Sequence, residues 1–192
     1  MNSIPRWFAC DRELARSCAV DQPTRRQPCE VTANGVGPRA PGNLGPVRAL
    51  VQRVESARVT SEGILVGEIG VGLCVLVGVT HSDTDAIADK MAARIFHLRI
   101  VDDDDGVMNL SVAQTSRCVL VVSQFTLYGD TTAGRRPSWI AAARPEQAEP
   151  LVDRLAMGLR LLGATVQTGR FRTNMQVSLV NDGPVTVMIE LP

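Results

Sequence analysis

The chain has 192 residues, of which 45% are hydrophobic and 21% charged. These values exclude a wholly disordered, collagen-like or coiled-coil chain, and the length suits one main domain. Twenty basic residues balance twenty acidic ones, and only Lys90 is a lysine. A nucleic acid would therefore have to be bound through a local patch of arginines. The absence of a long apolar run, of a secretory signal and of a zinc-like cysteine spacing predicts a soluble, cytoplasmic protein.

The N-terminal quarter of the sequence differs in character from the rest. Residues 1–46 contain six of the eleven prolines and show neither strand nor helix periodicity, which is typical of a linker. We therefore divide the chain into an extension, residues 1–46, and a folded domain, residues 47–192. The extension is interpreted as a disordered tail, as a regulatory, targeting or RNA-binding arm, or as a stretch upstream of a true start at Val47. N-terminal sequencing of the native protein tests the last of these.

The first half of the domain is predicted to begin with β-strands. Residues 50–54 and 58–61 have the composition of two short strands, and Glu62 and Gly63 form a hairpin turn into a third strand at 64–69. Residues 73–77 are continuously apolar, as expected of a strand buried on both faces.

Two helices are predicted, one on each side of the middle of the domain. The first begins after Ser82 or Asp83, either of which can cap it. Its apolar stripe comprises Ile87, Met91, Ile95 and Leu98. The second follows Pro145 and ends at Gly163, but the interior Pro150 predicts a start near Glu149 or a kink. Its inward residues are expected to be Leu151, Val152, Leu155, Leu159 and Leu162.

Further strands are predicted at residues 118–123, 165–167, 176–180 and 185–191. Strands outnumber helices and do not alternate with them one for one. The predicted fold class is therefore α+β, with a strongly curved, mostly antiparallel, barrel-like sheet and two main helices packed on it.

Several familiar site motifs fail when their spacing is tested. The acidic run before Gly106 does not place ligands at the positions of a calcium loop, and the glycines between 67 and 72 precede a strand instead of a helix. His81 and His97 have no nucleophile at a motif spacing, so a conventional serine-hydrolase triad is not supported. No metal site is predicted.

Two segments are better candidates for a site. Residues 123–130 place small polar groups at the end of a buried strand, although this segment taken alone slightly favours a strand that continues with alternating faces. Residues 181–186 form a turn between two strands, and a cis bond before Pro184 would turn two carbonyl oxygens in nearly the same direction. An ordinary hairpin turn is the alternative.

Together these segments resemble the D-aminoacyl-tRNA deacylases. Residues 47–54, 123–127 and 181–186 are similar to the three signatures of that family, in the same order. Shorter matches lie at 106–110, 136–138 and 168–171. The resemblance covers residues 47–192, and it departs from the family pattern at Trp139 and at residues 172–174, where Arg172 is bulkier than the residues usual there.

The resemblance implies a cytoplasmic, homodimeric, metal- and cofactor-free hydrolase with no membrane or DNA partner. Its substrate would be the ester between a D-amino acid, or glycine, and the acceptor end of tRNA. By carry-over, Gln124 and Thr126 would be catalytic. Substrate-binding residues would be Ser123, Phe125, Ala143, Met175, Gly183 and Pro184, with Gly183 and Pro184 forming a corner that enters the partner subunit's pocket. Arg53, Arg135, Arg136 and Arg170 would contact tRNA phosphates.

The chemistry of such a site can be anticipated in part. Backbone N–H groups of Phe125 and Thr126 can stabilise an oxyanion. A Thr126 nucleophile would need an adjacent base, and the sequence shows none, so we expect water attack assisted by the 2′-hydroxyl of the RNA. Two other functions stay open at this point: a catalytically silent dimeric β-rich binding module, and a general esterase active on small esters.

Overall fold

The computed structural model describes residues 46–191, and the predictions for residues 1–45 lie outside them. Two short 3₁₀ helices cover Val112–Gln114 and Phe125–Tyr128. In chain order the strands and main helices are β1 Val47–Ser61, β2 Ile64–Ile69, β3 Gly72–Gly78, α1 Asp85–Phe96, β4 Val101–Asp102, β5 Met108–Leu110, β6 Cys118–Ser123, α2 Pro145–Leu161, β7 Thr165–Thr168 and β8 Met175–Leu191.

The long strand β1 organises the main sheet. It pairs antiparallel with β2, β3 and β8, whereas β3 pairs parallel with β6 and β6 parallel with β7. The short strands β4 and β5 form a separate pair. The described residues thus form a mixed, barrel-like sheet with two helices, which confirms the α+β prediction.

The first two predicted strands are one strand. Glu55 and Ser56, which lie between the predicted strands 50–54 and 58–61, are both exposed. In the structure β1 continues through them, and its pairing with β8 shifts register between Val54 and Ser56. The polar pair is therefore a bulge inside a strand instead of a turn between two.

The last two predicted strands are also one element, β8. Residues 176–180 pair with residues 56–60 of β1, and residues 186–191 pair with residues 47–52. Strands joined by a hairpin turn would pair with each other, whereas these two halves pair with the same neighbour. The prediction of a turn between two strands is therefore wrong. Residues 182–185 are an unpaired bulge within a single strand, opposite Arg53.

Helix α1 forms as predicted, with a different N-terminal residue. Thr84 is its N-cap position, and the carboxylate of Asp83 instead accepts a hydrogen bond from the Thr80 backbone N–H at 2.7 Å. Met91 and Ile95 are fully buried, while Leu98 lies beyond the end of the helix.

Helix α2 begins at Pro145 and not at Glu149. Pro145 occupies the first turn, where a missing N–H costs nothing, and the exposed Pro150 removes one helical hydrogen bond further along. Leu162 is 40% exposed, so the prediction that it points inward is wrong. Gly163 follows the helix end with φ +106°, as predicted from the sequence.

The core lies on both faces of the sheet. Alternate residues of β3, such as Leu73 and Val75, pack with the inward faces of α1 and α2. Cys74 faces the other way, into a second cluster with Leu120 and Val122. This two-sided burial confirms the interpretation of the apolar run at 73–77. Across residues 46–191, neither helix has both the length and the apolar character that crossing a membrane requires.

Candidate functional site

A cavity of about 610 Å³ opens where β3 and β6 end. The backbone N–H of Gln124 donates to the carbonyl oxygen of Val77 at 2.7 Å, so the parallel ladder holds the chain rigidly up to the rim of the cavity. The cavity is lined by Val77, Val79, Val122, Ser123, Gln124, Phe125, Trp139, Ala142, Ala143, Pro145, Ala148, Val152, Phe171, Arg172, Thr173, Asn174, Met175 and Val177.

Five of the predicted substrate and catalytic residues meet at this cavity. They come from the end of β6, the segment before α2 and the start of β8, and they are Ser123, Gln124, Phe125, Ala143 and Met175. Parallel pairing places the ends of β3 and β6 side by side, and the antiparallel β8 begins at the same edge. Residues far apart in sequence are thereby brought to one site.

Thr126 stands next to this lining. Its hydroxyl oxygen accepts a hydrogen bond from the side-chain amide of Gln124. An amide N–H cannot accept the proton of a nucleophile, and within residues 46–191 no carboxylate or imidazole is bonded to Thr126. The contact therefore orients the hydroxyl without activating it.

A short 3₁₀ helix, Phe125–Tyr128, starts at the same point. Its hydrogen bonds run from Leu127 N–H to the Gln124 carbonyl and from Gly129 N–H to the Thr126 carbonyl. The first N–H groups of a helix have no acceptor within it. The backbone N–H groups of Phe125 and Thr126 therefore have no acceptor within this helix.

The walls of the cavity are mostly apolar. Phe125 and Trp139 pack edge to face, with ring centroids 5.8 Å apart and an interplanar angle of 69°. Val77 of β3 and Val122 of β6 are among the apolar lining residues. Sequence reasoning did not assign Trp139, Pro145 or Val152 to the site, because their contribution depends on how α2 and the loop before it fold back over the sheet.

The Gly183–Pro184 corner does not line the cavity of its own chain. It is exposed, and its peptide bond is cis, as the sequence interpretation anticipated. Gly183 has φ +117°, and an added Cβ would lie 2.7 Å from Cγ2 of Val185. Only glycine fits this position without a shift of the backbone.

Arg53 contacts the residue that precedes this corner, Asp182. Its side chain is 7% exposed, and its guanidinium forms ion pairs of 2.9 Å with both Asp102 and Asp182 and donates to the carbonyl oxygen of Ile100 at 3.0 Å. With its charge neutralised and its surface covered, Arg53 is poorly placed to contact a phosphate. The tRNA contact of Arg53 stays a prediction; in the structure its guanidinium is paired with Asp182, the neighbour of Gly183.

The other predicted tRNA contacts are on the surface. Arg135 and Arg136 are exposed on a loop whose base is closed by a bridge between Asp130 and Ser138. Arg170 is exposed on the loop between β7 and β8. Within the described part of the chain, none of the three forms an ion pair with a carboxylate.

The groups of a conventional hydrolase or metal centre are not assembled here. His81 contacts the Ile140 carbonyl oxygen at 3.0 Å and, like His97, lies outside the cavity lining. Among residues 46–191, no cluster of three or more histidine, cysteine or acidic side chains is arranged to hold a metal ion.

Comparison with known proteins identifies the family. The family model described as D-Tyr-tRNA(Tyr) deacylase matches residues 50–190. The chain belongs to this family. A D-aminoacyl-tRNA deacylase of Symbiobacterium thermophilum is 55% identical over 144 residues, which are 75% of this chain and 95% of that protein. The corresponding enzyme of Streptomyces coelicolor is 53% identical over 146 residues, or 76% of this chain and 100% of that protein.

Two solved structures share the fold. One, titled c-Myc DNA Unwinding Element Binding Protein, is 37% identical with a TM-score of 0.72, and the match covers 76% of this chain and 99% of that one. The other, titled as a probable eukaryotic D-amino acid tRNA deacylase, has a TM-score of 0.66 with the same coverage. At 17% identity, the second likeness concerns the fold of this deacylase-family chain and nothing more.

Proposed function

We propose that this chain hydrolyses the ester bond of D-aminoacyl-tRNA and releases the free D-amino acid and tRNA in the cytoplasm. The observation that carries the proposal is the meeting of Ser123, Gln124, Phe125 and Met175 at one cavity, in a member of the deacylase family. The reaction would remove D-residues before they reach the ribosome.

The arrangement around the 3₁₀ helix supports a mechanism without a protein nucleophile. Gln124 holds the Thr126 hydroxyl, and the N–H groups of Phe125 and Thr126 would stabilise the oxyanion as the ester carbonyl is attacked. Water would be the nucleophile, assisted by the neighbouring 2′-hydroxyl of the terminal ribose. We expect Thr126→Ala to keep measurable turnover. Loss of turnover with intact tRNA binding would instead assign Thr126 a direct chemical role.

Chiral selection would come from exclusion by the backbone. Gly183 and Pro184 project from β8 at an exposed corner, and a second copy of the chain would receive them in its cavity. There, main-chain atoms would leave no room for an L side chain, whatever its chemistry. A glycyl ester has no side chain to exclude, so glycyl-tRNA would also be a substrate.

A homodimer is consistent with the surface of β8. Within the described chain this strand pairs only with β1, so its other edge is open, and Val180 and Met188 on it are 51% and 46% exposed. Long unpaired edges with apolar side chains favour association. Mixing a Gln124→Ala variant with a Pro184→Ala variant tests the shared site: mixed dimers should regain activity in one of their two sites.

The direct test of the function is release of D-tyrosine from D-tyrosyl-tRNA by the full chain. A general esterase would also cleave small esters without RNA, which we do not expect. DNA binding without hydrolysis is the second candidate, because a 37% identical solved structure is described as a DNA unwinding element binding protein. Binding of duplex DNA without any release of D-tyrosine would favour it.

A further inference from the structure

The loop that follows β7 brings a single charge to the cavity. Among the residues that line the cavity, Arg172 alone carries a formal charge, and the rest are apolar or neutral polar. Arg172 is also exposed to solvent, as expected of a residue at the mouth of the cavity. Within the described residues no carboxylate pairs with it.

Hydrogen bonds on both sides of Arg172 fix the loop. Before it, the Gly169 N–H donates to the Val121 carbonyl oxygen at 2.9 Å. After it, the Thr173 hydroxyl donates to the Arg170 carbonyl oxygen at 3.0 Å. The hydroxyl of Ser61, which is 2% exposed, donates to the same Thr173 oxygen at 2.9 Å. The loop is thus tied to β6 and to β1.

The backbone at Arg172 is in the left-handed region, with φ +57°. Glycine adopts this conformation freely, whereas a long side chain does so at a cost in stability. Such costs are retained mostly at functional sites, where the side chain contributes something that glycine cannot. A charged residue held there, at a cavity mouth and without a carboxylate partner, is best explained by an anionic ligand.

We propose that Arg172 binds a phosphodiester group of the tRNA acceptor strand. The inference rests on the proposed function and names a contact that positions the substrate. The ester is uncharged and the α-amino group is cationic when protonated, so the phosphates are the anions that this substrate brings to the cavity mouth. The planar guanidinium can bond two phosphate oxygens at once, which a neutral side chain cannot reproduce.

The test compares two substrates that differ in their phosphates. D-tyrosyl-tRNA carries the acceptor strand, whereas 3′-D-tyrosyl-adenosine carries the same ester without any phosphodiester. For Arg172→Gln we expect KM to rise about tenfold or more on D-tyrosyl-tRNA, with kcat little changed and KM for the adenosine ester unaltered. The slope of log KM against log salt should also fall by roughly 0.7, the value for one phosphate contact on a single strand.

Arg94→Gln is the matched control, because Arg94 is an exposed arginine in the last turn of α1 and does not line the cavity. It should leave both KM values and the salt slope unchanged. An Arg172→Gln variant with wild-type KM on tRNA, or with equal increases on both substrates, would overturn the phosphate contact while leaving the deacylase function intact. A wild-type chain inactive on D-tyrosyl-tRNA would overturn both.

Arg172→Gly separates binding from folding. Because glycine readily adopts φ +57°, the thermal midpoint of this variant should be no lower than that of the wild type. Its KM for D-tyrosyl-tRNA should rise as in Arg172→Gln. A wild-type KM in this variant would show that the guanidinium makes no contact with the RNA.

Discussion

Replacement of Arg53 by alanine should destabilise the protein and loosen the Gly183–Pro184 corner. Arg53 is buried, and its removal leaves the carboxylates of Asp102 and Asp182 without their cation. Breaking a fully buried ion pair costs about 3–5 kcal/mol. Because these carboxylates are 43% and 35% exposed, water recovers part of that cost. We expect a loss of about 2–3 kcal/mol in the free energy of unfolding.

Urea denaturation measures this loss, and thermal unfolding should show a midpoint lower by roughly 4–12 °C. Arg58→Ala is the matched control, since Arg58 is an exposed arginine on the same strand and forms no ion pair within the described residues. Equal stability of the two variants would refute the assignment of Arg53 as the support of the corner.

The same variant distinguishes a positioning role from a tRNA contact. If Arg53 holds Asp182 in place, Arg53→Ala should reduce the ratio of D- to L-aminoacyl-tRNA hydrolysis and leave the salt dependence of KM as in the wild type. If Arg53 contacts a phosphate, the salt slope should fall and the ratio should stay constant.

Three further variants or conditions test the fold. Gly72→Ala should lower the free energy of unfolding by about 3 kcal/mol or more in urea denaturation, because the new Cβ would lie 2.1 Å from a carbonyl oxygen of β6. Gly70→Ala is the control: its Cβ would meet nothing within 4 Å, so the free energy of unfolding should hardly change. Leu155→Ala should lower the free energy of unfolding by about 2–5 kcal/mol, since Leu155 is only 1% exposed between the helices and the sheet. Met157→Ala on the same helix is the control, and it should have little effect because Met157 is 52% exposed. Burial raises the pKa of Cys74 to about 11, so the folded state keeps a proton that the unfolded state loses from about pH 9. Stability should therefore fall between about pH 9 and 11, and Cys74→Val should reduce that alkaline loss; an unchanged slope would contradict this assignment.

Local chemistry was enough to predict most of the elements. The continuous apolar run at 73–77 and the stripe through Met91 and Ile95 identified a two-sided strand and an amphipathic helix, because burial dictates both patterns. The polar end of β6 likewise pointed to the site. In each case the signal lies within a few consecutive residues.

The features that the local sequence does not reveal depend on partners distant in sequence. Nothing local to Glu55 and Ser56 distinguishes a bulge from a turn, and nothing local to residues 181–186 shows that both flanks pair with β1. The burial of Arg53 likewise follows from Asp102 and Asp182, which the fold brings to it. Trp139 and residues of α2 also line the cavity because the fold, and not the local sequence, brings them there.

Selection of handedness by an excluding backbone is central to the proposed function. Its most direct measurement is the single-turnover rate of hydrolysis of D-tyrosyl-tRNA and L-tyrosyl-tRNA, charged on the same tRNA, by the full chain. Exclusion worth about 5.5 kcal/mol predicts a rate ratio of about ten thousand in favour of the D-ester. Comparable rates for the two esters would contradict it.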